Sequence, residues 1–174
     1  TTDFKHRFLL GNFVVSLLAS LVLVCIVLFD VVPANQELIS TGEYNNLLLI
    51  FAAYSVFAFF TTLIREMIKD AQDVKGDRRI GAKTFPIIAP AKAVKSAIGI
   101  IQVLLTLSLI GTIYYFKNSI GLVLYILTLV VVPLIISTVN VAKATTYQNW
   151  GLASKLMKLV MVFGVLSVVI FTYA

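Results

Sequence analysis

The sequence predicts an all-α protein, a polytopic bundle of five transmembrane helices in a single domain over residues 1–174. Composition is the first reason: 60% of the 174 residues are hydrophobic and only 13% are charged, against about 45–50% and about 25% in an average soluble domain. The second reason is that the apolar residues stand in long runs. These features exclude a disordered chain, a soluble nucleic-acid-binding protein and an ordinary cytosolic enzyme.

Five apolar runs approach the roughly 20 helical residues that cross the hydrocarbon core of a bilayer. Four of them hold no charged residue over 21 to 25 positions, and the fifth, of 16 positions, reaches a spanning length if Lys155 and Lys158 snorkel to the headgroups. The runs are continuous rather than alternating, which excludes a β-barrel. The predicted spans are residues 8–29, 44–64, 96–116, 118–142 and 159–174.

The distribution of charge predicts the orientation of these spans. Residues 30–43 hold three acidic residues and no Lys or Arg, whereas 13 of the 14 basic residues fall on the opposite side of a five-span chain. The positive-inside rule makes that side cytoplasmic. We therefore expect an integral protein of the inner cell membrane, surrounded by lipid, whose basic surplus marks cytoplasmic segments and not a nucleic-acid partner.

The connection between the second and third spans, residues 65–95, holds most of the chemistry available to the chain. Residues 65–86 alone carry six basic and four acidic side chains. Burying ten charges in lipid would cost on the order of 30 kcal/mol, so we expect a loop at the cytoplasmic boundary or beside a wet cavity. A solvated loop without further function is the simplest explanation of such a charged run.

Three aspartates in this connection, Asp70, Asp73 and Asp77, are spaced by three and four residues. On a helix continuing from the second span they would lie within about 60° of one another. Like charges at this spacing destabilise a helix, and a bound cation would remove that cost. Oxygen ligands without a nearby His or Cys suit Mg²⁺ and not zinc. The three aspartates are therefore the candidate metal-binding and catalytic residues.

Basic residues surround these aspartates. Acids that hold Mg²⁺ inside a ring of bases match a metal-bridged diphosphate, because the bases neutralise the remaining phosphate charge. Gly76 and Gly81 allow the backbone to turn or to approach a phosphate closely. The candidate diphosphate-binding residues of this segment are Lys69, Arg78, Arg79 and Lys83, with Lys75 nearby.

The aspartates belong to a longer pattern: Asp70-x-x-Asp73-x-x-Gly76-Asp77-x-x-x-Gly81-x-x-Thr84-x-Pro86. This pattern resembles the second aspartate-rich motif of the UbiA-type membrane prenyltransferases, at about seven or eight fixed positions. The surrounding string looks most like the branch of archaeal geranylgeranylglyceryl-phosphate geranylgeranyltransferases. Near the N-terminus, Leu10-Gly11-Asn12 is similar to the start of the family's fifth helix.

The resemblance also predicts that the chain is a C-terminal fragment. The family has nine helices, and this chain resembles helices five to nine. The family's first aspartate-rich motif, of the form Asn-Asp-x-x-Asp, does not occur in the sequence. We expect such a chain to hold half of the metal site and to be inactive by itself.

For the whole enzyme, the resemblance implies Mg²⁺-dependent transfer of a prenyl group in the membrane. The donor would be an allylic prenyl diphosphate, and the lipophilic acceptor a prenylglyceryl phosphate such as geranylgeranylglyceryl phosphate. The resemblance favours Asp73 and Asp77 as metal ligands, with Asp70 close behind. It also implies a diphosphate contact by Lys5, whose place matches the lysine of a Tyr-x-x-x-Lys element before the fifth helix.

Several alternatives stand beside this interpretation. An aromatic acceptor of the quinone or 4-hydroxybenzoate type would make the protein an aromatic polyprenyltransferase. The chain could also be an inactive fragment or a non-enzymatic membrane subunit, although transporters usually place ionisable residues within spans and these spans have none. A CDP-alcohol phosphotransferase needs Asp-Gly where Asp73 is followed by Val74. Gln102, inside the third span, is expected to form an interhelical hydrogen bond.

Overall fold

Seven α-helices build the part of the chain that a computed structural model describes, residues 9–31, 33 and 41–172. Five helical segments of that part are long and apolar enough to cross a membrane, which confirms the predicted all-α transmembrane bundle. The helices are α1 Leu10–Ile26, α2 Thr41–Arg79, α3 Phe85–Ile88, α4 Ala91–Tyr115, α5 Ile120–Tyr125, α6 Val132–Lys143 and α7 Tyr147–Thr172. A π-helical segment, Val27–Val31, prolongs α1.

The fourth span consists of α5 and α6, joined by a π-helical segment at Ile126–Val131. Pro133 follows this segment in the first turn of α6. Proline has no backbone N–H and its ring crowds the preceding turn, so a widened turn just before it relieves the helix. The span therefore remains continuous across the proline.

Helix α2 corrects the expectation of a long loop at residues 65–95. It runs for 39 residues without a break, about 58 Å, which exceeds the roughly 30 Å hydrocarbon core. Residues 65–79 are rich in strong helix formers such as Glu, Met, Lys, Ala and Arg and contain no proline. The apolar part of α2 ends at Ile64, and the charged residues 65–79 continue as a helical extension.

The extension ends in a tight turn at Gly81. The Gly81 amide donates to the carbonyl oxygen of Arg78 at 3.3 Å, and the Ala82 amide donates to that of Asp77 at 3.0 Å. This pair of bonds is the Schellman motif, which requires a left-handed residue after the helix, and Gly81 has a φ of +71°. This turn fixes the C-terminal end of α2 at Arg79, two residues after Asp77.

The fifth span also differs from its predicted start. Helix α7 begins at Tyr147, twelve residues before the expected position, and includes Lys155 and Lys158. Both lysine side chains are exposed, because the aliphatic stem of a lysine can lie along a helix while its charge reaches water. The predicted start marked the first residues apolar enough to contact lipid, whereas the helix itself begins earlier, at Tyr147.

The core lies between four helices, α2, α4, α6 and α7, with α1 packed along α2. Its largest fully buried side chains include Ile68, Ile98, Leu134 and Met157, one from each of the four helices. Lys95 at the start of α4 donates to the carbonyl oxygen of Ala142 near the end of α6, at 3.4 Å. The charged extension of α2 therefore shares one end of the bundle with several basic residues.

Candidate functional site

The three predicted aspartates occupy the last three turns of α2. Asp70, Asp73 and Asp77 are all half-buried, and their helical positions lie within about 60° of one another. The helical extension therefore presents the carboxylates on one face, which we call the acidic face. The charge of Asp77 is felt at Asp70, where it opposes ionisation.

Asp70 receives a hydrogen bond from another helix. The side-chain amide nitrogen of Asn12, on α1, donates to Asp70 Oδ2 at 2.8 Å across 58 residues of sequence. Asn12 entered the sequence argument only as part of a string similar to the start of a helix. The sequence did hold one signal for this contact. Asn12 lies four residues before Ser16 and eight before Ser20, so the three polar side chains share one face of the helix, and both serines are buried.

Asp70 lies in the extension, beyond the apolar part of α2. The pKa of its carboxyl is raised to about 6 as the balance of several effects; burial is the largest of them, and the charges of Asp77 and Glu66 act in the same direction. The hydrogen bond from Asn12 and the charge of Lys69 act in the opposite direction and lower this pKa. Asn12 thus favours the ionised carboxylate that cation binding requires.

Glu66 is a fourth acidic side chain one helical turn before Asp70. Its carboxylate pairs with the guanidinium of Arg65 at 2.5 Å, and both side chains are largely buried, with 19% and 27% of their surface exposed. The ion pair lies beside the acidic face. Sequence reasoning assigned no role to this glutamate, although its spacing of four from Asp70 indicated a shared face.

The basic residues predicted to bind diphosphate remain free of the aspartates. Within the described residues the single ion pair is Arg65 with Glu66, so none of the described bases predicted to bind diphosphate forms an ion pair with an aspartate. Four of the predicted bases are exposed: Lys69, Arg78, Arg79 and Lys83. Lys5, the fifth, lies outside the described residues.

The carboxylate oxygens of the acidic face are donors of the kind that Mg²⁺ takes in proteins. Over residues 9–31, 33 and 41–172, no three His, Cys, Asp or Glu side chains converge closely enough to enclose a metal ion. Mg²⁺ commonly takes one or two protein carboxylates and completes its shell with water and substrate phosphates. The face fits that requirement, since its oxygen donors stand on one side of a single helix. Asp73 and Asp77, with Asp70, would hold the ion.

Gly76 lies inside the helix between these aspartates and does not form the turn that the sequence suggested. A Cβ atom at this position would meet no other heavy atom within 4 Å. The surface next to the acidic face is therefore open.

Two cavities lie toward the other end of the bundle. One, of about 430 Å³, opens between α2 and α4, and a smaller apolar one shares Ile50, Ala53, Thr112 and Phe116 with it. The lining residue of α2 nearest in sequence to Asp70 is Phe57, about 20 Å along the helix. These cavities are separate from the acidic face.

Comparison with known proteins places the chain in a family. The model of the UbiA prenyltransferase family matches residues 2–162. The chain belongs to this family. The match covers all seven described helices in whole or in part and includes the acidic face. Among solved structures, none matches the chain significantly.

Several archaeal relatives of this UbiA chain carry the name digeranylgeranylglyceryl phosphate synthase. The protein from Methanosphaera stadtmanae is 30% identical over 168 residues, which cover 95% of this chain and 55% of that protein. The Pyrococcus horikoshii protein is 30% identical over 65% of this chain and 39% of its own length. The Thermococcus onnurineus protein is 39% identical over 71 residues, which cover 41% of this chain and 25% of that protein. The chain spans about half the length of the first of these relatives.

Proposed function

We propose that the full protein containing this chain transfers a prenyl group from an allylic prenyl diphosphate to a prenylglyceryl phosphate within the membrane. The observation that carries the proposal is the acidic face of α2 beside unpaired bases, in a chain of the UbiA family. The names of the relatives favour a prenylglyceryl phosphate over an aromatic acceptor. This chain supplies one part of the active site.

The acidic face binds the diphosphate end of the donor. Asp73 and Asp77 would hold Mg²⁺, and Asp70 would complete the set of carboxylates. When bound, the ion neutralises phosphate charge and stabilises the negative charge that develops on the leaving group. The exposed bases Lys69, Arg78, Arg79 and Lys83, together with Lys5, bind the remaining phosphate oxygens.

The reaction breaks the bond between the allylic carbon and the diphosphate oxygen, and the diphosphate leaves with the electron pair. The acceptor hydroxyl oxygen forms a new bond to the allylic carbon and loses its proton to the released diphosphate. The basic residues stabilise the departing charge. Water would trap an allylic cation, so the apolar helices exclude it and house the prenyl chain.

The side of the membrane follows from the same proposal. Lys92, Lys95, Lys143 and Lys155 belong to helix ends near the acidic extension, and the positive-inside rule puts such an end in the cytoplasm. A water-soluble pool of diphosphate and Mg²⁺ is then within reach of the acidic face. We therefore propose that the acidic face lies at the cytoplasmic surface of the cell membrane.

The proposal is tested by an acceptor assay on the full-length protein in membrane vesicles. Radiolabelled geranylgeranyl diphosphate is supplied with Mg²⁺ and either geranylgeranylglyceryl phosphate or 4-hydroxybenzoate. We expect label to pass to the prenylglyceryl phosphate and to stop when EDTA removes the metal. Transfer to 4-hydroxybenzoate alone would reassign the protein to the aromatic branch, and transfer to neither acceptor would overturn the proposal.

A further inference from the structure

The hydrogen bond between Asn12 and Asp70 joins two helices at the edge of the acidic face. Asn12 stands four residues before Ser16, which is completely buried, and eight before Ser20, which is 8% exposed. Residues at this spacing share one face of a helix, and α1 packs along α2. Asn12 therefore lies at the end of the polar stripe through which α1 contacts α2.

The backbone around Asn12 is itself held. The Ser16 hydroxyl donates to the carbonyl oxygen of Asn12 at 2.6 Å, in addition to the ordinary helical bonds. The amide side chain then extends to Asp70 Oδ2 at 2.8 Å. Because Asn12 stands on a packed helix, its amide fixes the direction from which the Asp70 carboxylate receives this hydrogen bond.

The carboxylate needs such an anchor because its other charged neighbours include two acids. Glu66 and Asp77, on the same helix as Asp70, are acids and donate no hydrogen bond to it, and the exposed Lys69 forms no ion pair with it among the described residues. Asn12 donates directly to one carboxylate oxygen and leaves the second oxygen to other partners. Donors of this kind orient metal-binding carboxylates and tune their affinity.

We propose that Asn12 is a positioning residue, whose amide holds the Asp70 carboxylate of α2 in the orientation with which the acidic face binds a divalent cation. The proposal rests on the proposed function in taking Asp70 as part of the cation-binding set. It adds a residue from α1 that lies far from the aspartate motif in sequence. In this role Asn12 supports the binding of a hard divalent cation by carboxylate oxygens.

The test is Mn²⁺ binding by the purified full-length protein without substrate, followed through the electron paramagnetic resonance signal of free Mn²⁺. Asn12→Leu keeps a side chain of similar size and removes the donor, and we expect about tenfold weaker binding. Ser20→Ala is the matched control, since Ser20 lies on the same face of α1 and donates to its own helix at Leu17. This control should bind Mn²⁺ like the unaltered protein.

A double-mutant cycle separates positioning from packing. In an Asp70→Asn background, Asn12→Leu should weaken Mn²⁺ binding no further, because the carboxylate that it positions is gone. A second tenfold loss in that background would overturn the proposal. So would a loss in Ser20→Ala as large as that in Asn12→Leu. If Asn12→Leu does not yield folded protein, Asn12→Ala replaces it with the same expectations.

The outcomes also separate this proposal from the proposed function. Unaltered protein that binds Mn²⁺ but transfers no prenyl group, with the Asn12 effect present, would overturn the proposed function alone. Unaltered protein that transfers the prenyl group, with Mn²⁺ affinity unchanged by Asn12→Leu, would overturn the positioning role alone. Absence of Mn²⁺ binding by the unaltered protein would overturn the positioning role as well.

Discussion

Asp77 and Gly81 are coupled by the turn that ends α2, since the carbonyl oxygen of Asp77 accepts a bond from Ala82 across the left-handed Gly81. A side chain at a φ of +71° is strained, so Gly81→Ala should lower the free energy of unfolding by about 1 kcal/mol. Thermal unfolding of the full-length protein in detergent measures this change. Gly76→Ala is the matched control, and it should stabilise by about 0.5–1 kcal/mol because Gly76 is helical with open space around it. Equal effects of the two substitutions would contradict the turn.

Asp73 and Asp77 should be needed for prenyl transfer. Asp73→Asn and Asp77→Asn each keep the side-chain size and remove the charge that binds a cation, so we expect kcat to fall at least about 100-fold. Radiolabelled transfer by the full-length protein over a range of Mg²⁺ concentrations is the measurement. Glu37→Gln, in the segment predicted on the opposite side of the membrane, serves as control and should retain activity. Full activity in either aspartate variant would refute their assignment as metal ligands.

Arg78 and Lys83 should contribute to donor binding more than to the chemical step. Both are exposed and free of ion pairs within the described residues, so Arg78→Gln and Lys83→Gln should raise the KM for prenyl diphosphate by about twofold to fivefold, as for exposed charge pairs. Lys143→Gln is the matched control, because Lys143 is an exposed base at the C-terminal end of α6. Its KM should not change. Unchanged KM in both test variants would exclude these bases from the donor site.

Gln102 should tolerate an apolar replacement better than loss of its partner. Its amide nitrogen donates to Ser137 at 3.0 Å between α4 and α6, which is the interhelical bond expected from the sequence, while its Oε1 is buried without a partner among the described residues. Ser137→Ala should cost about 0.6 kcal/mol, the average for such bonds in membranes. Gln102→Met keeps the volume, removes the unpaired oxygen and should be nearly neutral. Thermal unfolding measures both variants, and a larger loss of stability in Gln102→Met than in Ser137→Ala would contradict this prediction.

The orientation of the bundle is open to a labelling experiment. In a Cys25→Ser background, Lys83→Cys should be reached by a membrane-impermeant maleimide only from the cytoplasmic side, because it lies just after α2 at the basic end. Asn118→Cys, in the connection between α4 and α5, should react only from the outside. Intact and inverted vesicles provide the two directions. The reverse pattern would contradict the predicted orientation.

The shared face of the three aspartates could be predicted because they lie on one helix. The spacing of Asp70, Asp73 and Asp77 depends on local geometry, in which each residue turns about 100°, so their shared face is a property of the sequence itself. The hydrogen bond from Asn12 depends instead on how α1 and α2 pack, 58 residues apart. Sequence spacing within one helix contains no information on that register.

The errors in element bounds have a common physical cause. Hydropathy reports which residues contact lipid, and a helix can continue beyond that contact. The charged residues 65–79 therefore looked like a loop, and the lysines of α7 concealed twelve helical residues. Residues 65–79 are rich in good helix formers, so there local propensity was the better guide than hydropathy.

The length of α2 makes it a single stiff rod with its two ends in different solvents. A carboxylate in water and a side chain in hydrocarbon are joined by hydrogen-bonded turns without a hinge, so neither can rotate about the helix axis independently. Ile64 and Ile68 have no exposed surface, and their fit among the other helices sets the rotation of the rod. The direction in which the aspartates face is consequently set by the packing of these two isoleucines among the other helices.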